Sequence, residues 1–185
     1  MRKLKLQVQT TIDGYMSGAN GEMDWMTFQW SDDLAAHVTA LTADVDTIVL
    51  GRKLAEGFIP HWAAKPESEP QAAIDKMNNT PKVVISNSLT ESPWENTVVA
   101  GGNLAENINR LKAEPGADII VYGGGTLVSN LIAEDLIDDL HLFVNPAAIG
   151  AGLPVFGSGT KRFDLVSATA FECGVTELHY RPKSA

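Results

Sequence analysis

The chain has 185 residues, 44% hydrophobic and 20% charged, the proportions of one soluble domain spanning residues 1–185. Its 14 Lys and Arg against 23 Asp and Glu leave a net charge of −9, which argues against the extended cationic face that nucleic acid requires. No apolar run approaches the roughly 18 to 20 residues that span a bilayer, residues 1–5 do not lead into a signal-peptide core, and the single Cys173 allows neither an intrachain disulfide nor a cysteine-rich zinc site. The expectation is a cytoplasmic protein with no metal, no nucleic-acid partner and no membrane partner.

Leu4, Leu6, Val8 and Thr10 alternate with Lys3, Lys5, Gln7 and Gln9, a period of two that predicts a strand with one apolar and one polar face, closed by a turn at Asp13-Gly14. Residues 17–30 carry two Met and two Trp without a clean period and read as a loop. Ser31 is a good N-cap, Asp32 and Asp33 suit a first helical turn, and Leu34, Val38 and Leu41 recur at i, i+4 and i+7, so a helix of about three turns follows. Asp46-Thr47-Ile48-Val49-Leu50 and Lys82-Val83-Val84-Ile85-Ser86 are β-branched runs of the buried-strand type. Helices are expected to begin at Arg52 and Pro70 between them, and Thr97-Val98-Val99 is a candidate strand. Asn103 with Glu106 makes a capping-box-like start for a helix buried through Leu104, Ile108 and Leu111, which stops at Pro115-Gly116.

Asp118-Ile119-Ile120-Val121-Tyr122 then runs into Gly123-Gly124-Gly125 and a helix carrying Leu127, Val128, Leu131 and Ile132, the strongest local signal in the chain. Residues 140–144, 163–171 and 175–180 add strands, the last two joined by Glu172-Cys173-Gly174 as an antiparallel hairpin. Strands and helices in this alternation predict a three-layer α/β domain with a mostly parallel sheet and an antiparallel C-terminal edge.

Three strand ends carry ligand-type chemistry. The triple glycine permits positive φ and close approach of a phosphate to free helix N–H groups, although the same glycines would equally let a helix and a strand pack closely. It is neither Gly-x-Gly-x-x-Gly nor a Walker sequence. Gly51-Arg52-Lys53 places two cations at a strand end, the edge where ligands gather in open α/β sheets, with solvated surface charge as the plain alternative. Ser86-Asn87-Ser88 offers hydroxyls and an amide, or is a polar loop. Together the three favour a composite dinucleotide groove over any one of them alone.

The order of these features resembles the dihydrofolate reductase-like superfamily, and within it the reductase domain at the C-terminus of bifunctional riboflavin-biosynthesis deaminase-reductases. Thr11-Ile12-Asp13-Gly14-Tyr15, Val49-Leu50-Gly51-Arg52-Lys53, Val84-Ile85-Ser86-Asn87-Ser88, and the block from Val121 through Asp138-Asp139-Leu140, Asn145-Pro146, Gly150-Ala151-Gly152 and Phe156 carry it over nearly the whole chain. The resemblance implies a dihydrofolate reductase-like fold and an NADPH-dependent reductase. It places Arg52 near the adenosine 2′-phosphate, Lys53 near the pyrophosphate, Ser86 and Asn87 beside the adenosine, and Gly123, Gly124, Gly125, Thr126 and Leu127 around the pyrophosphate. Leu54-Ala55 departs from the Thr and aromatic residue that many members carry there, so one phosphate-binding hydroxyl is missing.

The same resemblance likens residues 20–25 to a mobile loop closing over nicotinamide, with Met23 and Trp25 on the substrate side, although Met and Trp also suit a loop that covers a core. Asp33 matches the carboxylate of the first long helix that assists protonation, a role that a raised pKa beneath a closed loop would suit, and Asp13 is its rival. Asp33 is also what a helix N-terminus favours, and Asp-Gly is a common turn pair. His37 is expected to be a surface or satisfied helix residue, and His61, His141 and His179 have no metal-ligand spacing. The leading function is hydride transfer from NADPH to a small heterocyclic substrate, as in the 5-amino-6-(5-phosphoribosylamino)uracil reductase of riboflavin biosynthesis, here without the zinc deaminase sequence. A dihydrofolate or pterin reductase and a non-catalytic NADP-binding or ligand-sensing module are the alternatives. The resemblance also implies a homodimer.

Overall fold

In the computed structural model, which describes residues 1–183, the alternation at the start of the chain forms strand β1 (Leu4–Thr10). Leu4, Leu6 and Val8 enter the largest apolar cluster, while Lys5 and Gln7 face the other way and are buried as well. The polar face expected of this strand is therefore covered, because β1 sits between two neighbours in the middle of the sheet and helices lie on both faces. Lys5 is neutralised there by Asp44 and Asp118, the condition for keeping an ammonium out of water.

The chain continues as β2 (Tyr15–Ser17), α1 (Asp32–Thr42), β3 (Val45–Gly51), α2 (Arg52–Ala63), α3 (Gln71–Asn79), β4 (Lys82–Ile85) and β5 (Thr97–Ala100). After these come α4 (Leu104–Ala113), β6 (Asp118–Val121), α5 (Gly125–Ala133), β7 (Asp139–Val144), β8 (Leu153–Pro154), β9 (Phe163–Ala170) and β10 (Thr176–Pro182). Eight strands form one sheet in the order β5-β4-β3-β6-β1-β7-β10-β9. The first six in that order run parallel, and β10 and β9 complete the sheet as the antiparallel edge expected of the C-terminal hairpin. The pair β2–β8 was not foreseen, since three and two residues are too few to show a period. Among the described residues no helix is long and apolar enough to cross a membrane.

Side chains alternate across the central strands. Ile119 and Val121 of β6 and Val49 of β3 meet α4 and α5 on one face, whereas Ile48, Leu50 and Ile120 meet Ala55 and Ile59 of α2 on the other. Helix α1 covers the second face further along, packing Leu34 against Phe143, Phe171 and Val175. Beneath it lies a polar ladder. Glu177, 2% exposed, is hydrogen-bonded to His141 Nδ1 at 2.7 Å, and His37 Nε2 stands 2.8 Å from its other carboxylate oxygen outside hydrogen-bond geometry, so His37 is half-buried against the sheet and not a free surface histidine. His179 stacks on His141 at 4.1 Å and bonds Asp139.

Candidate active site

Strands β3 and β6 are parallel neighbours, yet the helices that follow them leave for opposite faces, α2 with one apolar cluster and α5 with the other. The two strand ends thereby border a crevice at the C-terminal edge, the kind of position where ligands lie in open α/β sheets. Gly51, Gly123 and Gly124 meet at this point. Gly51 N–H donates to the Gly123 carbonyl at 3.3 Å, and a Cβ added to Gly124 would stand 3.0 Å from Gly51 Cα. Gly124 also has φ +100° and Gly123 φ +145°, conformations that side chains resist. Close packing, one of the two readings of the triple glycine, is thus observed, and it brings the starts of α2 and α5 together across the crevice.

Helix α5 begins at Gly125, so the N–H groups of Gly125, Thr126 and Leu127 have no intrahelical acceptors. Leu127 differs from its expected role in one respect: its side chain is in the core, leaving only its backbone for a ligand. Arg52 and Lys53 open α2, where Arg52 pairs with Glu56 one turn on. Neither α2 nor α5 has an acidic residue in its first turn. Ser86 Oγ accepts the N–H groups of Ser88 and Leu89, and Asn87 Oδ1 accepts Gly102 N–H at 2.6 Å. These two residues shape the floor beside β4 and β5, and their acceptor atoms are engaged within the protein.

The other half of the edge is built from the turn after β1, the segment after β7 and residues 18–30. Ile12 N–H donates to the Ala147 carbonyl, Val155 N–H to the Gly14 carbonyl, and Gly152 leaves no room for a Cβ beside the Ser17 carbonyl. Asp13 clamps the same two segments, its carboxylate accepting Gly150 N–H at 2.7 Å and Ile149 N–H at 3.2 Å. Hydrogen bonds from Thr11 and Gly150 hold its carboxyl below the usual range. Asn145, fully buried, donates to Gln9 Oε1 at 2.8 Å and to the Phe143 carbonyl at 3.1 Å, and its Oδ1 accepts Thr27 N–H at 2.9 Å. It ties residues 18–30 to the sheet. Sequence reading singled out Asn145 only as part of a motif; the signal for its role is an amide at a strand end whose following proline supplies no N–H of its own.

Met23 and Trp25 lie in this loop, Met23 being 37% exposed and Trp25 half-buried, and Phe28 and Trp30 are open to solvent as well. Asp33 is exposed at the start of α1, where its carboxylate accepts Leu34 N–H at 2.8 Å and Glu172 N–H at 3.1 Å. The raised pKa expected of Asp33 is not found: the Ser31 hydroxyl, with these N–H groups, favours the charged form and holds the carboxyl low. Asp33 and Asp13 flank the same half of the edge without touching. Two open depressions, of about 500 and 550 Å³, lie at the opposite edge, where Asp46 and Lys112 are engaged in structural ion pairs.

The arrangement has counterparts among known proteins. An uncharacterized protein of Bacillus subtilis (strain 168), YyaP, is 29% identical over 182 residues, covering 97% of this chain and 94% of its own. A putative riboflavin biosynthesis protein from Shewanella sp. PV-4 superposes with a TM-score of 0.77 over 100% of both chains at 24% identity. Dihydrofolate reductase from Enterococcus faecalis, solved in complex with NADP(H), gives 0.66 over 98% of this chain and 97% of its own at 17% identity, and it shares the dihydrofolate reductase-like fold. The crevice between β3 and β6, the glycine contact and the zipped segments after β1 and β7 all fall within residues 2–176, the stretch that matches the RibD C-terminal domain, and the chain belongs to that family.

Proposed function

We propose that this protein is an NADPH-dependent reductase that transfers a hydride to a small heterocycle bearing a reducible C=N or masked carbonyl, the reaction type of the riboflavin-pathway reductase. One observation carries the reading: two helix N-termini free of acidic residues converge on a glycine-lined crevice that has Arg52 and Lys53 at its rim. The donor set fits a dinucleotide. Backbone N–H groups at the start of α5 suit the pyrophosphate, the close contact of Gly124 with Gly51 brings the two helix starts together, and Arg52 can exchange Glu56 for a 2′-phosphate. NADPH, when bound, supplies the hydride. Membership of the RibD C-terminal domain family and the likeness to an NADP(H)-bound reductase fold support the same cofactor.

The protein's own task is then to seat the acceptor beside the nicotinamide end and to provide for its proton. Asp13 and Asp33 are both ionised at neutral pH, because hydrogen bonds to the charged form hold each carboxyl low. Each serves as an acceptor that orients a ring N–H or a water, and the proton itself comes from that water. The test is cofactor binding by Arg52→Ala. A charge-assisted contact to phosphate is worth roughly 1.5 to 3 kcal/mol, so NADPH should weaken by at least about tenfold while NADH changes little. Equal losses for the two cofactors would place Arg52 away from the 2′-phosphate, and failure of the unaltered protein to bind either cofactor would overturn the reading.

A further inference from the structure

The cations of this chain are distributed unevenly. There is no Lys or Arg between Lys5 and Arg52, between Lys112 and Lys161, or between Arg162 and Arg181. Those three stretches supply the turn after β1, residues 18–30, the start of α1, the segment after β7 and the β9–β10 turn, which is the whole half of the edge beyond the crevice. Of the 14 Lys and Arg, Arg52 and Lys53 stand at the C-terminal ends of the strands, leaving 14 − 2 = 12 elsewhere among the described residues. The others belong to the opposite edge, at strand beginnings, helix ends and the end of the antiparallel β10. Lys161 reaches Asp135 past the end of α5, Arg181 meets Asp139 at the first residue of β7, and Lys76 and Lys112 sit in the last turns of their helices.

Several anion-accepting backbone groups of that half are already taken by its own carboxylates. Asp13 occupies the N–H pair of Ile149 and Gly150, and Asp33 occupies Leu34 N–H at the start of α1 together with Glu172 N–H. Asp32 adds a second charge in the same first turn. Exposed Ile12, Phe28 and Trp30 supply the remaining surface. A phosphate or carboxylate arriving here would lose water, find no cation and face carboxylates at short range, whereas an uncharged ring finds apolar faces to stack on and carboxylates to receive its N–H groups.

We infer that the substrate is an uncharged nitrogen heterocycle without a phosphate or carboxylate arm, so that this reductase differs in substrate class from one acting on a ribosylaminopyrimidine phosphate or on folate. The inference rests on the reductase reading in taking this half of the edge as the substrate's place, and its test separates the two. Two matched pairs of probes are titrated against tryptophan fluorescence, with and without NADPH: ribosylaminouracil against its 5′-phosphate, and dihydropterin against dihydrofolate. The uncharged member of each pair should bind at least about tenfold more tightly at low salt, the worth of one missing charge-assisted contact, and the ratio should shrink as salt is raised. Asp32→Lys, an exposed change that replaces one of the repelling charges by a cation, should narrow the ratio at low salt by tightening the charged member. Equal or tighter binding of the charged members, or no binding of either uncharged ring, would overturn the inference. If the preference holds but NADPH neither binds nor is oxidised, the charge selection stands and the reductase reading falls; if NADPH is oxidised equally well with the phosphorylated probe, the reverse follows.

Discussion

Asn145→Ala should release residues 18–30 from the sheet. The side chain is fully buried and makes three good hydrogen bonds, to Gln9 at 2.8 Å, to the Phe143 carbonyl at 3.1 Å and from Thr27 N–H at 2.9 Å. At a net worth of about 0.5 to 1.5 kcal/mol each, with partners left partly unsatisfied, their loss should cost about 2 to 4 kcal/mol of global stability in urea unfolding. The local effect is more telling. Of the loop's contacts to the sheet, the Thr27 bond is the one made through this side chain, so amide exchange at Thr27 should accelerate about tenfold or more relative to the strand amides of β3, and Trp25 and Trp30 emission should move toward that of exposed indole. Asn145→Asp keeps an acceptor for Thr27 but loses both donors and sets a carboxylate beside Gln9 Oε1. It should therefore lose global stability while retaining most of the Thr27 protection. Unchanged exchange at Thr27 in Asn145→Ala would refute the assignment, whatever happens to stability.

Gly124→Ala meets both a positive φ of +100° and Gly51 Cα at 3.0 Å, so it should destabilise by roughly 1 to 3 kcal/mol and separate the helix starts, which differential scanning calorimetry and NADPH titration would register together. An unchanged melting temperature would mean that the β3–β6 contact is not tight. The polar ladder beneath α1 makes stability depend on pH. Burial, with His141 stacked against it, keeps the His179 imidazole below its ordinary 6.5. A depressed folded pKa means that the unfolded chain takes up the proton first, so the His179 contribution is fully present above about pH 6.5 and drains away as pH falls toward the folded value. Burial alone would raise Asp139, but Arg181, His179 and Lys3 hold it at about 2, and its contribution, complete above the unfolded 3.8, is lost as pH falls through that folded value. Urea midpoints should therefore decline below about pH 6.5 and again in strong acid, and His179→Asn should flatten the first decline. A midpoint constant from about pH 7.5 to 5.5 would contradict the buried-imidazole account.

What the sequence made legible follows the range over which each signal acts. Ile119-Ile120-Val121, the glycines after it and the stripe of Leu127, Val128, Leu131 and Ile132 belong to one continuous strand–turn–helix, so the unit at the heart of the crevice could be read directly. The contact of Gly124 with Gly51 joins residues 73 positions apart, and nothing local in Leu50-Gly51-Arg52 announces its partner. The same holds for Glu177, whose contacts with His37 and His141 turn an unremarkable strand carboxylate into the buried centre of a ladder. Asp13 and Asp33 are visible in the sequence as carboxylates, and Thr11 and Ser31, two residues before each, are the main causes of their lowered pKa, but the added N–H groups of residues 149, 150 and 172 fold onto them from far along the chain. The Ser31 hydroxyl contributes most to the low pKa of Asp33, and only the smaller contribution of Glu172 N–H belongs to the assembled edge.

The assembled edge also explains why side chains, and not the backbone, must divide it. Four helices, α1, α2, α4 and α5, start at the C-terminal ends of the strands, so each directs the positive end of its dipole to the same edge. A fold of this kind attracts anions along its whole length unless something fills the helix starts. Helix α4 is filled by Asn103, whose side chain takes Glu106 N–H, with the acidic Glu106 itself in the first turn. Helix α1 is filled by Asp32 and Asp33. Only α2 and α5 among these four have no acidic residue in the first turn, and they are the two that meet across Gly51 and Gly124. The proposed division between a half that takes phosphate and a half that refuses it therefore rests on a handful of charged first-turn residues on an otherwise uniform scaffold. Exchanging those residues should move substrate charge preference without disturbing the sheet, because each of them is exposed or partly exposed and none contributes to the three apolar clusters.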